Sequence, residues 1–237
     1  MDIRTIDRAL GTRSRGLLLA VVAAAAVLVA SSATTTAGDD SFPLTVVDDE
    51  GTEVTIEALP ERIVSLTPAN TETVFALGAG DRLVGGTDYD DYPPEAAEAT
   101  NVATFTGVIM EQVVALEPDL VLAGGNLLTK PDEIATMREL GYPVVVLYAP
   151  DVSSVMADIE LIGASVGAAE DAAAMTAEMS GQMAAIAEAV AATGSTPRTF
   201  YEVDAEAEIY APAPDSFLAD MIVRAGGEPI TTGDPAA

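Results

Sequence analysis

Cysteine is absent from the 237 residues, and so are histidine and tryptophan. Without cysteine there is no disulfide, no thiolate metal site, no thiol nucleophile and no lipid-modified cysteine. Without histidine, Ser-His-Asp triads and His-ligated zinc or haem are excluded as well. Positive charge is scarce: 10 Lys+Arg stand against 38 Asp+Glu, for a formal charge of −28. That surface repels a phosphate backbone, so no nucleic-acid partner is expected. Acids spread along a whole chain are explained most simply as a solubility adaptation, including to high salt, with attraction of a cationic ligand as the sharper alternative.

Hydrophobic residues make up 49% of the chain, enough for a buried core. Arg4, Arg8, Arg13 and Arg15 precede an apolar run from Gly16 to Ala30 and a small-residue tract ending at Ala37. This pattern predicts a secretory signal peptide over residues 1–37, with an uncleaved membrane anchor as the alternative. Leu44 to Ile56 predicts a hairpin around Asp49-Glu50-Gly51. Residues 62–94 predict a strand, a helix and a second strand, both strands releasing polar and aromatic residues at their ends. In open α/β sheets ligands sit at such carboxyl ends. Apolar strands at Asp119–Ala123 and Val144–Tyr148 alternate with helices at Met110–Leu116 and Pro131–Leu140, which predicts a mainly parallel sheet over residues 38–150. Met110, Val113, Val114 and Leu116 fall mostly on one side of their helix.

From Ser153 the pattern is helical only, with a break at Gly167 and a second helix over Ala169–Ala192 about 36 Å long. Met175, Met179, Met183, Ile186 and Val190 recur at helical spacing and predict a core-facing seam on a spine covering residues 151–194. Thr199–Val203 and Ile209–Tyr210 predict short strands, and Ser216 or Asp215 caps a helix through Ala225. One strand pair and one helix do not bury their own apolar faces, so residues 195–237 are expected to be part of a lobe that continues beyond this sequence.

Thr67 as helix cap with Pro68 behind it aims the backbone N–H groups around Ala69 and Asn70 at whatever occupies the adjoining cleft, and an ordinary helix start is the competing explanation. Tyr89 and Tyr92 lie in a polar loop and offer a stacking platform for a flat ligand. Asp88, Asp90 and Asp91, with Glu202 and Asp204, leave a carboxylate hydrolase or an oxygen-ligated cation as weaker alternatives.

RIVSLTPANTETVFALGAGDRLVGGTDYDDYPPEA, followed by MEQVVALEPDLVLA, resembles the periplasmic binding proteins that serve ABC importers of vitamin B12 and ferric siderophores. FYEVD, Tyr210-Ala-Pro and SFLADMIVRAGGEPI resemble the second lobe of the same family, so the likeness runs from about Leu44 to Ile230. The resemblance implies a class III fold: two α/β lobes joined by a single long helix, ligand between them, the second lobe truncated here. It implies no catalysis, no cofactor or metal, an extracytoplasmic location, and a permease as partner. Membrane association would come through that importer or through the uncleaved anchor. Against the cobalamin-binding members it places ligand contacts at Tyr89 and Phe105, Phe105 standing for a tryptophan, while Gly124 takes a second tryptophan's position. Tyr201 and Tyr210 would face the cleft from the second lobe. Transporter docking would use Glu111, and Asp220 in place of the unsuited Val223. A ferric siderophore or haem is the alternative ligand.

Overall fold

A computed structural model describes residues 41–125, 128–205 and 208–232, so the leader expected over residues 1–37 lies outside the described part. The hairpin forms as expected, β1 (Leu44–Val47) against β2 (Glu53–Ile56), with Gly51 in the turn at φ 78°. The strand–helix–strand unit follows as β3 (Ile63–Ser65), α1 (Pro68–Ala76) and β4 (Leu83–Thr87). Next come β5 (Thr100–Thr104), β6 (Gly107–Val108), α2 (Met110–Leu116), β7 (Leu120–Gly124), α3 (Pro131–Glu139) and β8 (Val144–Leu147). The sheet order is β6-β5-β4-β3-β7-β8, parallel throughout except for β6 on the β5 edge. The chain is therefore a mixed α/β protein.

Alternation along each strand divides the core in two. Ile63, Leu120, Leu122, Val145 and Leu147 point to one face, Val64, Val121, Ala123, Val144 and Val146 to the other. The hairpin, α1 and α4 (Val152–Ser165) cover the first face, and α2 and α3 the second. Burial on both faces is why these strands read as unbroken apolar runs. On α2, Val113 is buried with Met110 and Leu116 packed beside it, and Val114 is the member of the expected set that faces solvent. The hairpin is pinned to the sheet by buried Asp48, which accepts from Arg138 Nη2 at 2.7 Å and Val146 N at 3.2 Å.

α4 starts at Asp151, whose carboxylate accepts from Ser154 N at 2.9 Å. It packs against α5 (Ala169–Ala191) so closely that a Cβ on Gly163 would lie 2.3 Å from the Ala172 Cβ. The expected core seam on α5 holds only for its first half. Met175 and Met179 pack on the core, whereas Ile186 is exposed. The reason is length: α4 has 14 residues and α5 has 23, so α5 outruns its partner.

Residues 198–232 add a parallel pair, β9 (Arg198–Thr199) with β10 (Glu228–Pro229), and α6 (Phe217–Arg224), which Ser216 caps. The strand expected at Thr199–Val203 shrinks to β9, and Tyr210 makes only an isolated bridge to Asp204. Among the described residues no second layer covers this segment, and Tyr201, Val203, Ile209 and Tyr210 stay exposed. Among the described residues no helix is long and apolar enough to cross a membrane.

Candidate functional site: a cleft at the carboxyl edge of the sheet

The strand order moves from β3 to β4 on one side and to β7 on the other, which makes the carboxyl end of β3 a topological switch point. A cleft of about 750 Å³ opens there. Its wall is built at the ends of the strands: 66–70 at β3, Thr87 and Tyr89 at β4, 103–105 at β5, Gly124, Leu128 and Thr129 at β7, and 147–149 at β8. Ligands collect at this edge in open α/β sheets because successive connections diverge and leave a crevice. α4 closes one side with Val155, Asp158, Ile159 and Ile162, the i, i+3, i+4, i+7 set of one helical face.

At the head of α1, Thr67 Oγ1 accepts from Asn70 N at 3.4 Å, and Pro68 fills the first helical position. Ala69 follows in the first turn, where a backbone N–H has no acceptor within its own helix. Asn70 is only 7% exposed, and its Nδ2 has no hydrogen-bond partner among the described residues. Pro68, Ala69 and Asn70 all line the cleft. An unmade buried donor costs about 1–3 kcal/mol, which favours a ligand oxygen at Asn70.

Behind this wall a polar network fixes the β4 loop. Thr71 Oγ1 donates to Asp90 Oδ2 at 2.8 Å and lies 2.8 Å from Ser65 Oγ, which donates to Thr67 O at 3.0 Å. Asp90 also accepts from Thr87 N at 2.8 Å and Thr87 Oγ1 at 2.7 Å. A Cβ on Gly86 would stand 2.4 Å from Asp90 Oδ2, so glycine is what admits the carboxylate. Asp90, weighed above for hydrolysis or cation binding, is buried, saturated with donors and absent from the cleft wall. Its work is to hold Tyr89 in place.

Tyr89 and Phe105 line the cleft as expected, 58% and 89% exposed. Tyr148 joins them just after β8, and the strand-end logic that picks out Tyr89 applies to it equally. Tyr92 does not line the cleft. Nor do Tyr201 and Tyr210, contrary to the expectation that they face it: Tyr210 makes an isolated bridge to Asp204, and neither lies on a strand of the main sheet. No side chain fits at Gly124 without displacement, since a Cβ there would meet Thr67 Cγ2 at 2.6 Å and Leu128 Cβ at 2.9 Å. Glu111 is exposed in the first turn of α2. Asp220 is not a free surface acid. It accepts from Val152 N at 3.1 Å and Arg224 Nε at 2.7 Å, tying α6 to the start of α4.

The charges in the wall are all negative. Glu133 is occupied by Lys130 Nζ at 3.1 Å and Val108 N at 3.2 Å. Asp158 faces Asp49, which the hairpin turn brings here by accepting from Tyr148 N. Burial, then the charge and hydrogen bond of Asp49, push the Asp158 carboxyl up to about 7.

A family model described as periplasmic binding protein matches residues 63–235. The chain belongs to the periplasmic binding protein family. Relatives include the ABC transporter substrate-binding lipoprotein YvrC of Bacillus subtilis, 34% identical over 76% of this chain and 59% of that protein. A cobalamin-binding protein of Halobacterium salinarum is 34% identical over 80% of this chain and 51% of its own length. This member of the family therefore spans a little over half the length of these relatives. The crystal structure of the periplasmic vitamin B12 binding protein BtuF of Vibrio cholerae matches with a TM-score of 0.64 at 26% identity, over 75% of this chain and 68% of that one.

Proposed function

We propose that this periplasmic binding protein captures cobalamin or a related corrinoid outside the cytoplasm and passes it to the permease of an ABC importer. The observation that carries this is the cleft itself. A cavity of about 750 Å³ presents the exposed rings of Tyr89, Phe105 and Tyr148 beside an apolar helix face, in a chain related to a cobalamin-binding protein. A flat macrocycle matches those rings, each stacking contact contributing about 0.5–1.5 kcal/mol beyond its buried area. The head of α1 supplies donors for the polar fringe of the ligand. Binding of this kind needs no covalent step and no resident cofactor or metal.

Glu111 is the docking acid on this side, exposed and free of any ion pair among the described residues. It would meet arginines of the membrane subunit, an encounter in which a rim charge acts mainly on the rate of association. Asp220 takes no part in that contact, because its carboxylate is already engaged. A ferric siderophore or haem is the second candidate, and the acidic cleft wall speaks against such anionic ligands.

Calorimetry and tyrosine fluorescence with cyanocobalamin test the proposal. One saturable site is expected, and Tyr89→Ala should weaken it by about 1–3 kcal/mol. Absence of binding to cyanocobalamin alongside saturable binding of haem or a ferric siderophore would replace corrinoid with the second candidate.

A further inference from the structure

The cleft is lopsided in its polar chemistry. Among the described residues the cations are Arg62, Arg82, Lys130, Arg138, Arg198 and Arg224, and none lines it. Most are engaged elsewhere: Arg62 with Leu116 O, Arg82 with Pro60 O and Val166 O, Arg138 with Asp48, and Arg224 with Asp220. Lys130, near the rim, is held by Thr106 O at 2.7 Å and Glu133 at 3.1 Å. The two carboxylates of the wall differ in the same respect. Glu133 has its donors, whereas the partner of Asp158 is another carboxyl, Asp49. On α1 the buried amide of Asn70 has a donor with no acceptor among the described residues.

We propose that the cleft selects a ring fringed with uncharged primary amides over the same ring fringed with carboxylates, and that Asp158 is the specificity-determining residue, with Asn70 adding affinity without discriminating. The proposal rests on the corrinoid reading of the preceding subsection. A primary amide carries both parts the wall asks for: a carbonyl for Asn70 Nδ2 and the head of α1, and an NH₂ for the Asp158 oxygens. Because it is donor and acceptor at once, it satisfies Asn70 whichever way that side-chain amide is turned. A carboxylate has acceptors only. It meets Asp158 as a like charge or, at best, competes with Asp49 for a proton, and no arginine or lysine of the wall compensates it. Discrimination of this kind acts by excluding the wrong ligand as much as by holding the right one.

The test uses two ligands with one macrocycle, dicyanocobinamide with amide side chains and dicyanocobyrinic acid with carboxylates, titrated into the wild-type chain and Asp158→Asn at pH 7.5. Wild type is expected to bind the amide form at least about tenfold more tightly, since uncompensated like charges in a partly desolvated site cost on the order of 1.4 kcal/mol or more. Asp158→Asn should narrow that ratio at least threefold, chiefly by improving the carboxylate ligand. Asn70→Ala, which leaves the acid in place, should weaken the amide ligand while the preference persists. Wild-type affinities within twofold of one another, or an unchanged ratio in a folded Asp158→Asn chain, would overturn the inference while leaving corrinoid binding intact. Failure of either ring to bind would remove the corrinoid proposal and this inference together.

Discussion

Residues 41–165 and residues 198–232 are built from the same kinds of element, short parallel strands and amphipathic helices, yet they are held together very differently. In the first region the central strands of a six-stranded sheet have both faces covered, and Ile63, Val64, Leu120, Val121 and Leu122 are completely buried. In the second, two strands of two residues each and one helix leave Val203, Ile209, Met221 and Val223 facing solvent. Parallel pairing has little strength of its own and depends on layers above and below it. The comparison teaches that the candidate site belongs wholly to the region able to hold a fixed shape. Its aromatic and polar groups come from loops anchored at both ends by buried strands or helices.

The largest effect that can break this comparison comes from paired truncations. Leu122→Ala, in a fully buried strand position, should cost about 2–5 kcal/mol in a urea melt. Ile209→Ala, at 69% exposure, should stay within about 0.5 kcal/mol. Equal losses would mean that the second region has a core of its own.

A middle-sized effect concerns Asp158. Its carboxyl ionises at about 7 in the folded chain against an ordinary 3.8, so between those values the folded state holds a proton that the unfolded state has released. Stability from this group is therefore full below about pH 4, falls as pH rises, and is lost above about pH 7. Asp158→Asn should remove that slope and stabilise the chain at pH 8 by about 1–2 kcal/mol, a value reduced from the full shift because solvent screens the half-exposed pair. Parallel wild-type and variant stability curves from pH 4 to 8 would contradict the raised ionisation of Asp158, which burial and then Asp49 cause.

The smallest effect probes the seam between the regions. Asp220→Ala should cost about 1 kcal/mol through loss of its bond to Val152 N and its pair with Arg224. Amide exchange should speed up in 217–224 but not in 63–147. Uniform change across the chain would show that Asp220 supports more than the α6 attachment.

Much of the first region was legible because burial on both faces writes itself into composition. Continuous apolar runs at Leu120–Ala123 and Val144–Leu147, punctuated by Glu117-Pro118 and Gly141, leave little choice of element or of carboxyl-end placement. The cap at Thr67 and the strand-end position of Tyr89 followed from local chemistry in the same way. What was not legible depends on distance in space. Asp158 is one acid among 38, and only the fold brings it against Asp49 and into the cleft. Val155, Ile159 and Ile162 recur at helical spacing, but spacing alone does not tell that one stripe serves both the core and a ligand wall. The seam on α5 was overextended because periodicity reports a face and not the length of what packs on it. Asp220 was misassigned to a surface role because its partner Val152 lies 68 residues away in sequence.

Amide hydrogen exchange with and without saturating cyanocobalamin tests most directly the claim that the carboxyl-edge cleft of the main sheet is the binding site. Protection should appear at 66–71, 87–90 and 103–108 and along 155–162, with 201–210 unchanged. Protection centred on 201–210, or bound ligand with no protection at the carboxyl edge, would contradict it.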